Sequence, residues 1–203
     1  MTTQRRRRAT TEEKVVRVLD ETEAILLREG YAAASSRAVA AAAGINPSLL
    51  HYYFETIDDL FVAVLRRRAE HNVDRMAAAL AAPRPLAAWW ELVSDRRGAQ
   101  LFTELLAAAN HRPALAAELG KYAQAVRRMQ VEALRELLPE YGLGDIRPAL
   151  FAVAMQGTAF SLVSDQTAGF DTQTDEAESG MVELLAKLED SRQPSLSERS
   201  FKV

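Results

Sequence analysis

The chain contains no cysteine, which excludes disulfides, thiolate metal sites and cysteine redox sensing. Histidine is scarce: only His51, His71 and His111 occur. None stands at an HxxxH or HExxH spacing, so neither a metal nor a cofactor is expected. Glycine and proline number nine and seven in 203 residues, too few for a low-complexity chain when 48% of it is apolar. Such a composition belongs to a folded protein with a sizeable core. Long hydrophobic runs are missing too, which argues against a transmembrane helix. The arginines at 5–8 are not followed by the apolar stretch of a secretory signal. The cytoplasm is the expected location. Finally, no phosphate-cradling glycine loop and no nucleophile–base pairing can be read, so the chain is not expected to be an enzyme. Carboxylates such as Glu104 and Asp165 read as ordinary helix or cap residues.

What is present is unevenly placed. The net charge is −3, but the first 54 residues carry eight basic and six acidic side chains, and the remainder seventeen and twenty-two. The positive charge is concentrated in Arg5, Arg6, Arg7 and Arg8. A duplex backbone would attract that run, whereas the acidic bulk of the protein would not adhere to it. Residues 1–10 are therefore expected to form a flexible basic arm.

The pattern beyond is helical throughout, rich in Ala, Leu, Glu and Arg and without period-two alternation. A first helix is expected over 11–29, burying Val15, Val18, Leu19, Thr22, Ile25 and Leu26, with Gly30 as a left-handed C-cap. A short second helix spans 36–43 behind the N-cap Ser35, and Gly44 supplies a turn. Asn46 caps a third helix, 47–53, that opens on Pro47. A fourth starts at Thr56, with Asp59 completing a capping box, and runs to Leu80. Further helices are expected over 86–93, 99–109, 113–138 (stopped by Pro139), 146–167 (capped by Asp145) and 175–189, about nine in all. A loop over 169–174 and a disordered tail over 191–203 complete the chain.

Three short helices, the second and third joined by a glycine turn, make a helix-turn-helix, whose later helix enters the major groove. The third helix presents Asn46, Pro47, Ser48, His51 and Tyr52 if Leu49, Leu50 and Tyr53 face inward. Hydroxyls and an imidazole suit phosphate oxygens and base edges, and the helix N-terminus favours a phosphate. Tyr53 and Phe54 read as a hydrophobic anchor.

The stretch 29–65 resembles the DNA-binding domain of the TetR family of bacterial transcriptional regulators. Gly30, Tyr31, Ser35, Ala40, Ala43, Gly44, Ile45, Leu50, Tyr53, Phe54 and Leu60 occupy matching positions. The resemblance implies an all-α protein: a DNA-binding domain over 11–55 and a larger helical ligand-binding and dimerisation domain over 56–190. It implies that Ser35 and Arg37 touch phosphates, that Ser48, His51 and Tyr52 face the groove, and that Thr56 binds a phosphate. Three positions depart from the family pattern: Ala38 replaces an acidic cap, and Pro47 and Ile57 replace lysines. The arginine run would compensate for the lost cations.

The resemblance further implies a homodimer joined through the last two long helices, with small residues Ala152, Ala154, Gly157, Ala159 and Ser161 and apolar Leu184, Leu185 and Leu188 in the seam. Two reading heads one helical turn apart would match a palindromic operator. It implies a small-molecule effector bound among the middle helices, where Trp89, Trp90, Phe102, Leu105, Tyr122, Met129, Phe151, Met155 and Phe160 are apolar candidates and Asn110, His111 and Gln156 polar ones. The expected function is that of a repressor released from its operator by a largely apolar molecule. The alternative is a DNA-binding regulator or architectural protein whose core is filled and takes no ligand.

Overall fold

Four of the helices open on a proline, at the one position where the missing amide costs nothing. The computed structural model describes residues 2–169 and 171–193, with side chains over 11–169 and 173–193. Among these residues the chain forms nine α-helices and no strand. They are α1 (Thr2–Glu29), α2 (Ser36–Ala42), α3 (Pro47–Tyr53), α4 (Ile57–Leu80), α5 (Pro85–Val93), α6 (Arg96–Ala109), α7 (Pro113–Glu140), α8 (Pro148–Ala168) and α9 (Asp171–Ser191). A single 3-10 turn, Tyr31–Ala33, joins α1 to α2.

Several boundaries differ from expectation. Helix α1 begins at Thr2, so Arg5–Arg8 lie on helical backbone rather than in an irregular arm. Gly30 does not adopt the left-handed helical geometry of a C-cap. Its φ of 80° is joined to a ψ of 168°, a combination open essentially to glycine alone. Pro139 does not stop α7 but sits in its last turn, where only one helical hydrogen bond is lost. The chain leaves through Gly142 at φ 70°. Arg147, not Asp145, stands at the N-cap position of α8, without a side-chain capping bond, and Pro148 follows it. It closes on Gly169, whose φ of 82° and ψ of 24° make a left-handed cap. The loop expected over 169–174 is shorter because α9 already begins at Asp171. That helix continues to Ser191; the rest of the expected tail, from 194 on, lies outside the described residues.

Two compact units divide the chain. One comprises Met1–His71 and Gln100–Tyr122, the other Asn72–Ala99 and Ala123–Val203. Helices α4, α6 and α7 therefore contribute residues to both, and the packing units do not follow a single cut near residue 55.

The first unit is built on the predicted stripe of α1. Val18, Leu19, Ile25 and Leu26 are buried with Val39, Ala40 and Ala43 of α2, Leu50 of α3 and Leu60, Phe61, Val64 and Leu65 of α4. Leu101, Leu105, Leu115 and Leu119 complete this core. Each fully buried large side chain contributes about 1.5–3 kcal/mol. Thr22, also buried, turns its hydroxyl back to the Val18 carbonyl at 2.7 Å, which satisfies it within the helix.

The second unit is fastened by a buried carboxylate. Glu189 in the last turns of α9 accepts the amides of Leu86 at 2.8 Å and Ala87 at 3.1 Å, in the first turn of α5. The negative charge thus meets the positive end of a helix dipole. Its other oxygen accepts the Tyr141 hydroxyl at 2.8 Å. Burial, and then this hydrogen bond, push the Tyr141 phenol well above its ordinary pKa. Arg192 beside it pairs with Glu140 at 2.9 Å and lies over the Tyr141 ring.

Candidate nucleic-acid interface

The reading head is a short segment fixed at every bend by a local hydrogen bond. The Ser35 hydroxyl accepts the Ala38 amide at 3.2 Å and so caps α2, from which Val39, Ala40 and Ala43 point into the core. Gly44 then turns the chain at φ 64°, a conformation that strains any other L-residue except Asn or Asp. The Ile45 amide returns to the Ala40 carbonyl at 3.0 Å. Asn46 caps α3 by accepting the Ser48 amide at 2.8 Å, and Pro47 occupies the first helical position.

Helix α3 has two unlike faces. Leu50 is buried and Leu49 and Tyr53 are half-buried, while Ser48, His51 and Tyr52 are exposed. These three recur at intervals of three and four and share one face of the helix. Tyr52 is 80% exposed, and its ring meets Tyr53 edge-on at 5.5 Å between centroids. Tyr53 is only half-buried, and the next residue, Phe54, is the aromatic that packs against the core. Ser35, Arg37, Asn46 and Pro47 are exposed on the same head.

Thr56 is engaged within the chain. Its amide and hydroxyl both donate to Asp59 Oδ2, at 2.9 and 2.8 Å, and its Oγ1 accepts the Asp59 amide at 3.1 Å. The capping box is reciprocal, as the spacing predicts, and a carboxylate already holds the groups that a phosphate would need. Arg5–Arg8 are placed only by their backbone in α1; their side chains lie outside the described ones.

Two residues that steady this head carry no legible motif. Glu104 of α6 accepts the Tyr31 amide at 2.8 Å, at the turn between α1 and α2. Arg112, just before α7, donates to Asp58 at 2.9 Å and lies over the rings of Tyr31 and Phe61, at 5.7 and 5.1 Å from their centroids. Both pairings join residues more than 50 positions apart, which no local pattern reveals.

The residues expected around an effector are divided between the units. Phe102, Leu105, Asn110, His111 and Tyr122 fall in the first; Trp89, Trp90, Met129, Phe151, Met155, Gln156 and Phe160 in the second. Leu105 is plain core, with Phe102 and Tyr122 packed against that core. Asn110 and His111 are exposed in the turn after α6, and Phe160 is 43% exposed, so these three do not line an interior. Trp89, Trp90 and Met155 are buried, while Met129, Phe151 and Gln156 are half-buried. An open depression of about 310 Å³ on α8 and α9, lined by Leu162, Asp165, Gln173, Thr174 and Ala177, includes none of them. Among the described residues no group of three or more His, Asp or Glu could hold a metal ion, and no helix is long and apolar enough to cross a membrane.

A capped three-helix head with an exposed polar face on its third helix defines a helix-turn-helix DNA-binding protein. Residues 18–64 match the family model described as bacterial regulatory proteins, tetR family. Over that segment the chain is similar to the DNA-binding part of tetR-family regulators. Solved structures share the fold at low identity. A transcriptional regulator from Rhodococcus sp. Rha1 is 19% identical, with a TM-score of 0.66 over 85% of this chain and 96% of that one. A TetR transcription regulator from Haloarcula marismortui is 17% identical, with a TM-score of 0.69 over 89% and 98%. A structure from Saccharomonospora viridis, described as a transcriptional regulator in complex with choline, is 17% identical, with a TM-score of 0.70 over 87% and 95%. No curated protein matches the chain.

Proposed function

We propose that this regulator binds a palindromic operator as a homodimer, represses by occupying it, and is released by a small molecule. The observation that carries the DNA contact is the outward face of α3, where Ser48, His51 and Tyr52 stand free of the core. Ser35 and Arg37 add phosphate contacts beside it.

Dimerisation rests on the surface of the last two helices. Leu150 is 63% exposed, and Val153 and Phe160 on α8 and Val182 and Leu184 on α9 are exposed as well. Positions 150, 153, 157 and 160 follow helical spacing and are Leu, Val, Gly and Phe. An apolar stripe with a small residue in its middle suits close approach of a second copy. Two such copies present two reading heads, as a two-fold symmetric site requires.

A small-molecule response fits a family fold in which one neighbour was solved with choline. A second reading is favoured by a specific observation: Trp89, Leu105 and Met155 are packed as core. A regulator with a filled core would bind DNA without any effector.

Titration of the purified protein against its own upstream intergenic DNA, at several salt concentrations, tests the proposal. A saturable, salt-sensitive complex that survives excess random duplex supports operator binding, and sedimentation gives the stoichiometry. Loss of the complex on adding a small molecule separates the sensor from the filled-core regulator. Binding no tighter than to random duplex, followed by failure of selection from a random library, rejects the DNA reading.

A further inference from the structure

Three polar atoms inside the second unit have no hydrogen-bond partner: Nε1 of Trp89 on α5, and Nη1 of Arg127 and Oε1 of Gln130 on α7. Trp89 and Gln130 are fully buried. A buried polar group left unpaired forfeits its hydration with nothing in return, and a guanidinium nitrogen loses most. Closed cores hold few such atoms, and each calls for an explanation.

Their placement supplies one. Arg127 and Gln130 are three residues apart on α7 and so share a face. The Gln130 amide nitrogen reaches Oε1 of Gln156 on α8 only at 3.5 Å, a stretched contact at the limit of hydrogen bonding. Trp89 meets the same helix through Phe151, with ring centroids 6.3 Å apart. Helix α8 is thus a common neighbour, and the rise from Phe151 to Gln156 is about 7.5 Å along its axis. One end of this stretch is aromatic and the other offers amides, with a cation one turn along α7.

We infer that these groups receive an amphipathic organic acid. Its carboxylate accepts hydrogen bonds from the Arg127 guanidinium and the Trp89 indole. Gln130, whose amide can present either its oxygen or its nitrogen, completes the ring of contacts. The apolar remainder packs on the Trp89–Phe151 pair. A planar guanidinium fits a carboxylate in two-pronged fashion and repels a cation. The inference rests on the ligand-responsive reading above and gives the effector of that reading a chemical class.

The test uses the full-length protein and three probes of equal chain length: octanoate, octanol and octyltrimethylammonium. Binding is followed by calorimetry and by the fluorescence of Trp89 and Trp90, the only tryptophans in the chain. Octanoate is expected to bind saturably and at least tenfold more tightly than octanol, with the cation weakest. Arg127→Met should abolish that preference while leaving octanol binding in place, and its unchanged helical circular dichroism would show that it folds. Trp89→Phe should weaken octanoate severalfold. Equal affinity for octanoate and octanol, an acid preference that survives R127M, or no saturable binding by any probe would overturn the inference; internal water would then be the partner of these atoms. DNA release measured with the same probes keeps the two readings apart. If octanol or the cation releases DNA and octanoate does not, the acid class fails and the sensor stands. If octanoate binds as expected without releasing DNA, the acid site stands and the sensor fails.

Discussion

Glu104 accepts the backbone amide of Tyr31 at 2.8 Å across 73 positions of sequence. The same carboxylate oxygen lies 3.4 Å from where a Cβ on Gly30 would stand. A long-range side chain thus holds the turn by which the chain enters the helix-turn-helix. The glycine beside it is required by its backbone angles, since a Cβ there would meet the carboxylate only at ordinary contact distance.

Glu104→Ala is therefore expected to leave a partly buried amide unpaired and to destabilise the protein by about 1–3 kcal/mol. Glu104→Gln, which keeps an acceptor, should cost less. Gly30→Ala should cost about 1–3 kcal/mol by backbone strain alone, because its φ and ψ are closed to other residues. Urea midpoints of the three variants check the order. Equal stability of E104A and the parent would mean that water replaces the carboxylate.

The Arg112 guanidinium joins Asp58 to the faces of Tyr31 and Phe61. Lysine keeps the charge but lacks the flat fork, so Arg112→Lys should lose most of the cation–π contact and cost about 1 kcal/mol. Arg112→Ala should cost more, since Asp58 then also loses its partner. Thermal midpoints of the two variants, read beside Asp58→Ala in a double-mutant cycle, separate the ion pair from the ring contacts.

How much could be read in advance follows from the range of each signal. Asn46, Pro47 and Phe54 bound α3 where the sequence places it, and the Thr56–Asp59 box starts α4, because caps act over three or four residues. The buried stripe of α1 is equally local. Errors arose where a residue type has two uses. Pro139 reads as a stop but is tolerated in a last turn, and Asp145 reads as a cap although Pro148 sets the start of α8. Phe160 reads as interior, yet an aromatic on a helix with weak amphipathic contrast gives no hint of its direction. Glu104 and Arg112 were illegible for another reason: their partners are brought near only by the folded chain.

Acid should weaken one further clasp. The hydrogen bond from Arg66 to Glu118, 2.7 Å long, holds that carboxyl down to a pKa of about 2. A group whose pKa is lower in the folded state stabilises the protein above its unfolded pKa. The contribution is thus present above about pH 4.5 and fades as the pH falls toward 2. Glu118→Gln removes it at every pH, so the difference in urea midpoint between parent and variant should shrink from pH 6 to pH 3. Arg66 is exposed, and the difference should also be reduced by salt. A gap that is constant with pH would mean that the carboxylate charge contributes nothing.

Tyr52 and Tyr53 are adjacent, touch edge-on, and should behave oppositely on substitution. Tyr53 is half-buried, so Tyr53→Ala should cost more stability than the same change at Tyr52 and lower DNA binding only through unfolding. Tyr52 is exposed, so Tyr52→Ala should change stability by no more than about 0.5 kcal/mol and yet weaken operator binding by about 1–3 kcal/mol, provided that the ring or hydroxyl meets the groove. Tyr52→Phe divides that loss between hydroxyl and ring. His51→Ala should follow Tyr52 rather than Tyr53. The salt slope decides what each contact reads: a base-edge contact leaves it unchanged, whereas loss of a phosphate cation such as Arg37 lowers it by about one. If Y52A bound the operator as tightly as the parent, the outward face of α3 would not be the reading surface, and the exposed ring would need another partner.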